Sequence, residues 1–438
     1  MKKGMTIKKI HAVLRFTLQV YIMYSIYLRL KMMSRRMFVA PSRNNLSHGL
    51  IQNYHSLPDD TLQIQGAYIM KGTAVLIGTL IFSVSGAVHS GTGFEGRKLI
   101  HLESETARVT VDLGGGSIID FHLIDQRLNP LTWNHPEEET LEPRGMGHFV
   151  CFDRLGNPSP REIENGMPFH GEASHVEWQV LSPPVKRDGN ITAEMSCELP
   201  LAGMRLKRTM CLDEDNAVLT IREEATNTNK LGRVYNIVQH PSLGAPFLDE
   251  SILIDCNAVK GFWTGNPMPY VEEPSVYWPH IVYGGKLVDL RCFTDNDEPS
   301  VVSFVCPEGD EYGWVTACNP ERGLLLGYHW KLSDYPWIRI WRRNRDGKPL
   351  ARGIEFGTTP LPLPFSDILA KGKIFGRPVY EYIDAGENTV KSYTAFLVRI
   401  PDNYRGVNDI VSTEDKLTLK EYGDDSARDI AVILLREQ

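Results

Sequence analysis

WIRIWRRNRDGKPLARGIEFG, residues 337–357, decides the fold. Its Asp346-Gly347 dipeptide separates residues 337–342 from a run that ends at Phe356. Asp-Gly between two apolar runs is a strong short-range signal for a β-hairpin, because the tight turn needs positive φ at both central residues. The same device recurs upstream, where Asp188-Gly189 separates residues 178–186 from 191–199.

Working outward, Val109, Val111 and Leu113 alternate with Thr110 and Asp112, which gives a strand one apolar and one wet face. Residues 217–223, 251–254, 301–305, 323–330 and 393–400 are further short runs of β-branched and aromatic residues bounded by Gly, Pro, Asn or Asp. No long helical period competes with them. Gly114-Gly115-Gly116 follows a strand, but residues 117–121 read as another strand, so the glycines mark a hairpin turn rather than a phosphate loop. The pattern predicts an all-β chain: a large antiparallel β-sandwich over residues 91–438.

The composition suits that reading. With 37 Gly, 27 Pro and 42% hydrophobic residues, the chain has both the turns and the core material of a folded β protein. Charge is uneven. Residues 1–71 hold 11 Lys/Arg against two acids, whereas residues 72–438 hold 36 Lys/Arg against 52 Asp/Glu, a formal charge of −16. Such an acidic body excludes nucleic acid as the natural partner, since phosphates demand clustered cations. Seven cysteines without a C-x-x-C pair argue against a zinc ribbon or a thioredoxin-like motif, and their odd number leaves at least one thiol unpaired within the chain.

The first ninety residues read differently. From Met70 the sequence MKGTAVLIGTLIFSVSGAVHSG has one basic residue, an apolar core and a small-residue exit, the layout of a signal peptide over residues 70–90. An uncleaved membrane anchor is the alternative, because no charge appears between Lys71 and Glu95. Either way, membrane contact is confined to this N-terminal segment, and the body is expected to be periplasmic or secreted. Residues 1–69 form a basic extension; a complete signal starting at an internal Met suggests that Met70 is the true start.

Three segments combine one titratable residue with turn-forming neighbours: GMPFHGE around His170, VQHPS around His240, and RGIEFG around Glu355. Two histidines and a glutamate can perform acid–base chemistry near neutral pH. With Asn129-Pro130-Leu131-Thr132-Trp133, His170-Gly171 followed by Trp178, Gln239-His240-Pro241, and Trp341 upstream of Gly353-Ile354-Glu355, the chain resembles the aldose 1-epimerase and hexose-phosphate mutarotase superfamily from about Val109 to Pro401.

That resemblance implies a galactose mutarotase-like supersandwich with a sugar bound across a concave sheet. It implies an isomerase that interconverts the anomers of an aldose, with His240 as general acid at the ring oxygen, Glu355 as general base at the anomeric hydroxyl and His170 assisting or positioning the substrate. No cofactor is needed, and the expected partner is a monosaccharide or oligosaccharide. Arg154 is a candidate to grip sugar oxygens, and Trp341 a candidate stacking platform. His148, His170 and His175 match no zinc signature, so no metal is expected. One departure stands out: hexose-phosphate mutarotases usually follow H-G with an aromatic, a small residue and Arg, whereas this chain has Glu172-Ala173-Ser174. It argues against a phosphorylated substrate and leaves open a non-catalytic carbohydrate-binding protein. A polysaccharide hydrolase or lyase on a related sandwich, using two of its carboxylates, is the third reading.

Overall fold

The computed structural model describes residues 94–264, 273–295, 300–423 and 425–434, together with the backbone of four short strands before them. The chain divides into two units, residues 1–88 and 89–438. In the first, Leu62–Ile64 pairs with Leu80–Phe82, and Tyr68–Met70 pairs with Thr73–Val75. Beyond that backbone, the basic extension and the signal or anchor segment lie outside the described residues.

The second unit is all-β and is built on two antiparallel sheets. One has twelve strands and runs from Lys286–Asp289 at one edge to Leu99–Glu103 at the other. The other has eight strands, from Leu253–Cys256 to Gln179–Arg187. Both Asp-Gly hairpins form: Gln179–Arg187 pairs with Asn190–Leu199, and Trp337–Arg345 with Lys348–Gly357. The glycines at 114–116 turn Ala107–Asp112 back onto Ser117–Leu123.

Period-2 alternation explains how the sheets stack. Along Asn190–Leu199, the residues Ile191, Ala193, Met195, Cys197 and Leu199 are buried, and the intervening positions are more exposed. They join Val109, Val150, Ile237, Ile340, Ile354 and Phe356 of the larger sheet in one continuous core. All seven cysteines are free thiols. Residues past Pro401 form a separate sheet, Val407–Ser412, Lys416–Glu421 and Ile430–Ile433, whose apolar side packs with Trp314, Leu325 and Phe396 of the smaller sheet.

The centre of the larger sheet departs from simple alternation. His148–Phe152, Ile237–Leu243 and the second half of Lys348–Gly357 are buried at every position. One face of these strands meets the inter-sheet core, and the other lines a walled cleft. A half-buried antiparallel strand has no reason to hide its polar face, so burial on both sides marks where the sheet serves something other than stability.

Candidate active site

Four adjacent strands set one row of side chains across the sheet. Register pairs Phe149 with His240, Gln239 with Phe356, and Arg339 with Glu355. With neighbouring strands about 4.8 Å apart, Phe149, His240, Glu355 and Arg339 become lateral neighbours on one face. The His240 and Phe149 rings stack at 4.5 Å between centroids. His240 Nε2 lies 3.4 Å from Glu355 Oε1, and Arg339 donates to Glu355 Oε2 from the other side.

His170 comes from outside the sheet. Its backbone sits in the left-handed region, with φ 66, and its ring centroid is 5.3 Å from that of His240. The next residue must be glycine: Gly171 also has positive φ, and a Cβ there would overlap the Phe152 carbonyl oxygen. The H-G pair is thus a tight docking of this loop onto the end of His148–Phe152. The Gly156 N–H donates to His170 Nδ1 at 3.0 Å, which places the neutral ring's proton on Nε2.

These groups line a cleft of about 750 Å³, walled by Trp133, Phe149, Phe169 and Trp341. Trp133 and Trp341 meet edge to face at 5.5 Å, and Trp341 also meets the His240 ring at 5.9 Å. An apolar, aromatic-walled concavity with a few convergent polar groups is the usual form of a small-ligand site. Phe169 stands half exposed beside His170.

Burial dominates the electrostatics. It pushes the His240 imidazolium down to about 3, with the Arg339 charge adding to the effect. It holds His170 well below the ordinary histidine range, helped by His240 and Arg339. Both rings are therefore neutral at physiological pH. Burial raises the Glu355 carboxyl above the usual range for glutamate, while the Arg339 guanidinium opposes that rise. A carboxylate with raised proton affinity, still ion-paired, is a better general base than an exposed one. When Ser242 Oγ donates to His240 Nδ1, 2.8 Å away, the imidazole proton sits on Nε2, facing the cleft beside Glu355.

The structure brings His170, His240, Glu355 and Trp341 together. Arg154 is a correction: its guanidinium pairs with Glu162 and Asp153 and lies over the Phe365 ring at 4.3 Å, and it does not line the cleft. Asp153, at φ 69, turns the chain, so Arg154 leaves the strand line and folds back onto the short helix Pro160–Glu164. The guanidinium paired with Glu355 in the cleft is that of Arg339. Elsewhere in the chain, Trp330 and Trp337 are buried core, Trp263 and Trp278 pack against it, and Tyr277 is exposed. Glu172, which departs from the usual motif, ties two loops together, because its carboxylate accepts from the backbone N–H groups of Leu201 and Ala202 at 3.1 and 2.7 Å.

No family model matches the sequence, and no curated protein matches it. Solved structures do. A candidate aldose 1-epimerase from Klebsiella pneumoniae subsp. pneumoniae aligns with a TM-score of 0.53 and 15% identity, over 71% of this chain and 82% of that one. A galactose mutarotase-like protein from Clostridium acetobutylicum aligns with a TM-score of 0.51 and 12% identity, over 69% and 96%. At these identities the likeness is one of fold. The chain shares the β-sandwich fold of these two solved structures.

Proposed function

We propose that the chain binds an aldose, free or at the reducing end of an oligosaccharide, and interconverts its anomers. The observation that carries this reading is the contact of His240 Nε2 with Glu355 Oε1 at 3.4 Å on the floor of an aromatic cleft. Glu355 takes the proton of the C1 hydroxyl as the C1–O5 bond breaks. The ring oxygen leaves with developing alkoxide charge, and His240 meets it with Nε2–H. A neutral imidazole suits that role, because it donates to a strongly basic oxygen without first having to be protonated. His170, with its proton fixed on Nε2, supplies a second donor. Rotation about C1–C2 and reclosure on the other face of the aldehyde return both protons, so the cycle is balanced without a cofactor. Trp133 and Trp341 offer faces for the apolar side of the sugar. The named structural neighbours add fold-level analogy only.

The test is proton NMR of freshly dissolved α-anomers with the full chain. Faster approach to anomeric equilibrium is expected, and Glu355→Gln should lose about 10²- to 10⁴-fold of it while still binding sugar. Equal rates for the two proteins would overturn the assignment. A sugar-binding protein without turnover is the second reading, favoured by Glu172-Ala173-Ser174 in place of the usual residues after H-G; binding without acceleration of any sugar would establish it. Export through the segment from Met70 belongs to the proposal too: the native chain should begin after about residue 90, and one beginning before Met70 would refute it.

A further inference from the structure

We infer that the preferred sugar is a hexuronic acid, its carboxylate gripped by Arg343. The inference rests on the sugar-binding reading and names the substrate class of the same site. Arg339, Trp341 and Arg343 are alternate residues of Trp337–Arg345, so all three project from one face, and all three line the cleft. Register places Arg339 opposite Glu355, Trp341 opposite Gly353 and Arg343 opposite Ala351. The order along the strand is therefore reaction centre, aromatic platform, cation. A pyranose with C1 at Glu355 lies over Trp341 and presents its substituents toward Arg343.

The two cleft arginines on this strand differ in one respect. Arg339 is buried and spends its charge on Glu355. Arg343 is exposed, and among the described residues none forms an ion pair or hydrogen bond with its side chain. Gly353, with no side chain, leaves the space between Trp341 and Glu355 open: a Cβ there would lie 3.1 Å from the Trp341 ring and 3.2 Å from Glu355 Oε1. Arg144 also lines the cleft and donates to Asn134 Oδ1 at 2.6 Å; Glu142 is the acid at the same rim. With Arg339 and Glu355 neutralising each other, Arg144 and Arg343 face Glu142 alone, so the mouth is cationic on a body of formal charge −16. A planar guanidinium fork fits a planar carboxylate in bidentate fashion, and one free fork is the donor set a single carboxylate needs.

The experiment compares galacturonate and glucuronate with galactose, glucose and their 6-phosphates. Anomerisation is read by proton NMR and binding by saturation-transfer NMR, using the full chain, Arg343→Met and Glu355→Gln. Arg343 is exposed, so its replacement leaves the core intact. The expected result is the highest kcat/KM on a uronate, falling roughly 10- to 100-fold in Arg343→Met, while neutral sugars change by less than about twofold. Equal losses on uronate and neutral sugar, or no loss on either, would overturn the inference and leave the isomerase standing. A preference for the 6-phosphate would overturn it in favour of phosphate. If no sugar is anomerised but uronate binding still depends on Arg343, the isomerase fails and the carboxylate site stands.

Discussion

Two buried Arg–Glu–His groups lie on opposite sides of the larger sheet, the first completed across the core by Arg208 and Glu223 of the smaller sheet, and they behave differently. On the core face, Arg208 pairs with Glu223 and donates to the Gly116 carbonyl; Glu223 accepts from Gln239. Gln239 donates to Tyr335 and bonds to His148, whose ring also meets Tyr328 and Tyr393. Each of these polar side chains is tied to a protein partner. On the cleft face, Arg339 pairs with Glu355 beside His240, yet Arg339 Nε has no hydrogen-bond partner among the described residues, and the imidazole groups of His170 and His240 border open space. Residue type is the same in both. Completeness separates them: a satisfied buried network specifies the packing, and an incomplete one waits for a ligand.

The largest test of that contrast removes the same carboxylate from each face. Glu355→Gln should cut anomerisation by about 10²- to 10⁴-fold with a modest loss of stability, because cleft water can solvate Arg339. Glu223→Gln should cost about 3–5 kcal/mol in urea unfolding, since it strands Arg208 in a dry core. The reverse order of stabilities would erase the distinction.

Removing the cleft cation sharpens it. Arg339 lowers the proton affinity that burial raises in Glu355. Arg339→Met should therefore shift the acid limb of the rate–pH profile upward by about one to three units, so that activity is lost at a higher pH. An unmoved limb would detach Arg339 from Glu355.

The histidines predict a stability trend. His148, His170 and His240 all have depressed folded-state values, so the unfolded chain binds protons first as pH falls. Stability is fully present above about pH 6.5 and drains below it, by about 2 kcal/mol between pH 7 and 5 for His240, whose folded value is about 3. Urea midpoints across that range measure the slope, and His240→Gln should flatten it. A slope unchanged in this variant would show that His240 does not contribute.

The smallest expected effect on rate is at Arg154. Its replacement by Ala should leave kcat/KM within about twofold while costing about 1–3 kcal/mol through the lost bonds to Glu162 and Asp153. A large loss of rate would return it to the site.

Much of the fold was legible because two Asp-Gly turns and period-2 alternation are local signals that the tertiary structure then obeyed. His170, His240, Glu355 and Trp341 converge because each lies in a distinctive short motif. Arg339 was missed for a definite reason. Counting back from the Asp346-Gly347 turn pairs Arg345 with Lys348 and would set Ile338 opposite Glu355; a register shift between Arg343 and Asn344 moves Arg339 there instead. Nothing in the sequence announces that bulge. Trp133 was visible in its motif, but only folding brings it beside Trp341. Arg154 looked like a strand residue because positive φ at Asp153 is not written in the residue names.

The hairpin of residues 337–357 has a consequence for how the site is assembled in time. Arg339 and Glu355 are 16 residues apart and pair across one turn, so their contact closes a short loop. His170 and His240 must arrive from far along the chain, after long-range strand pairing that is intrinsically slow. Base and guanidinium are thus expected to meet early in folding, and the histidines to join last, which makes the acid half of the site the part most exposed to slow or faulty closure of the sandwich.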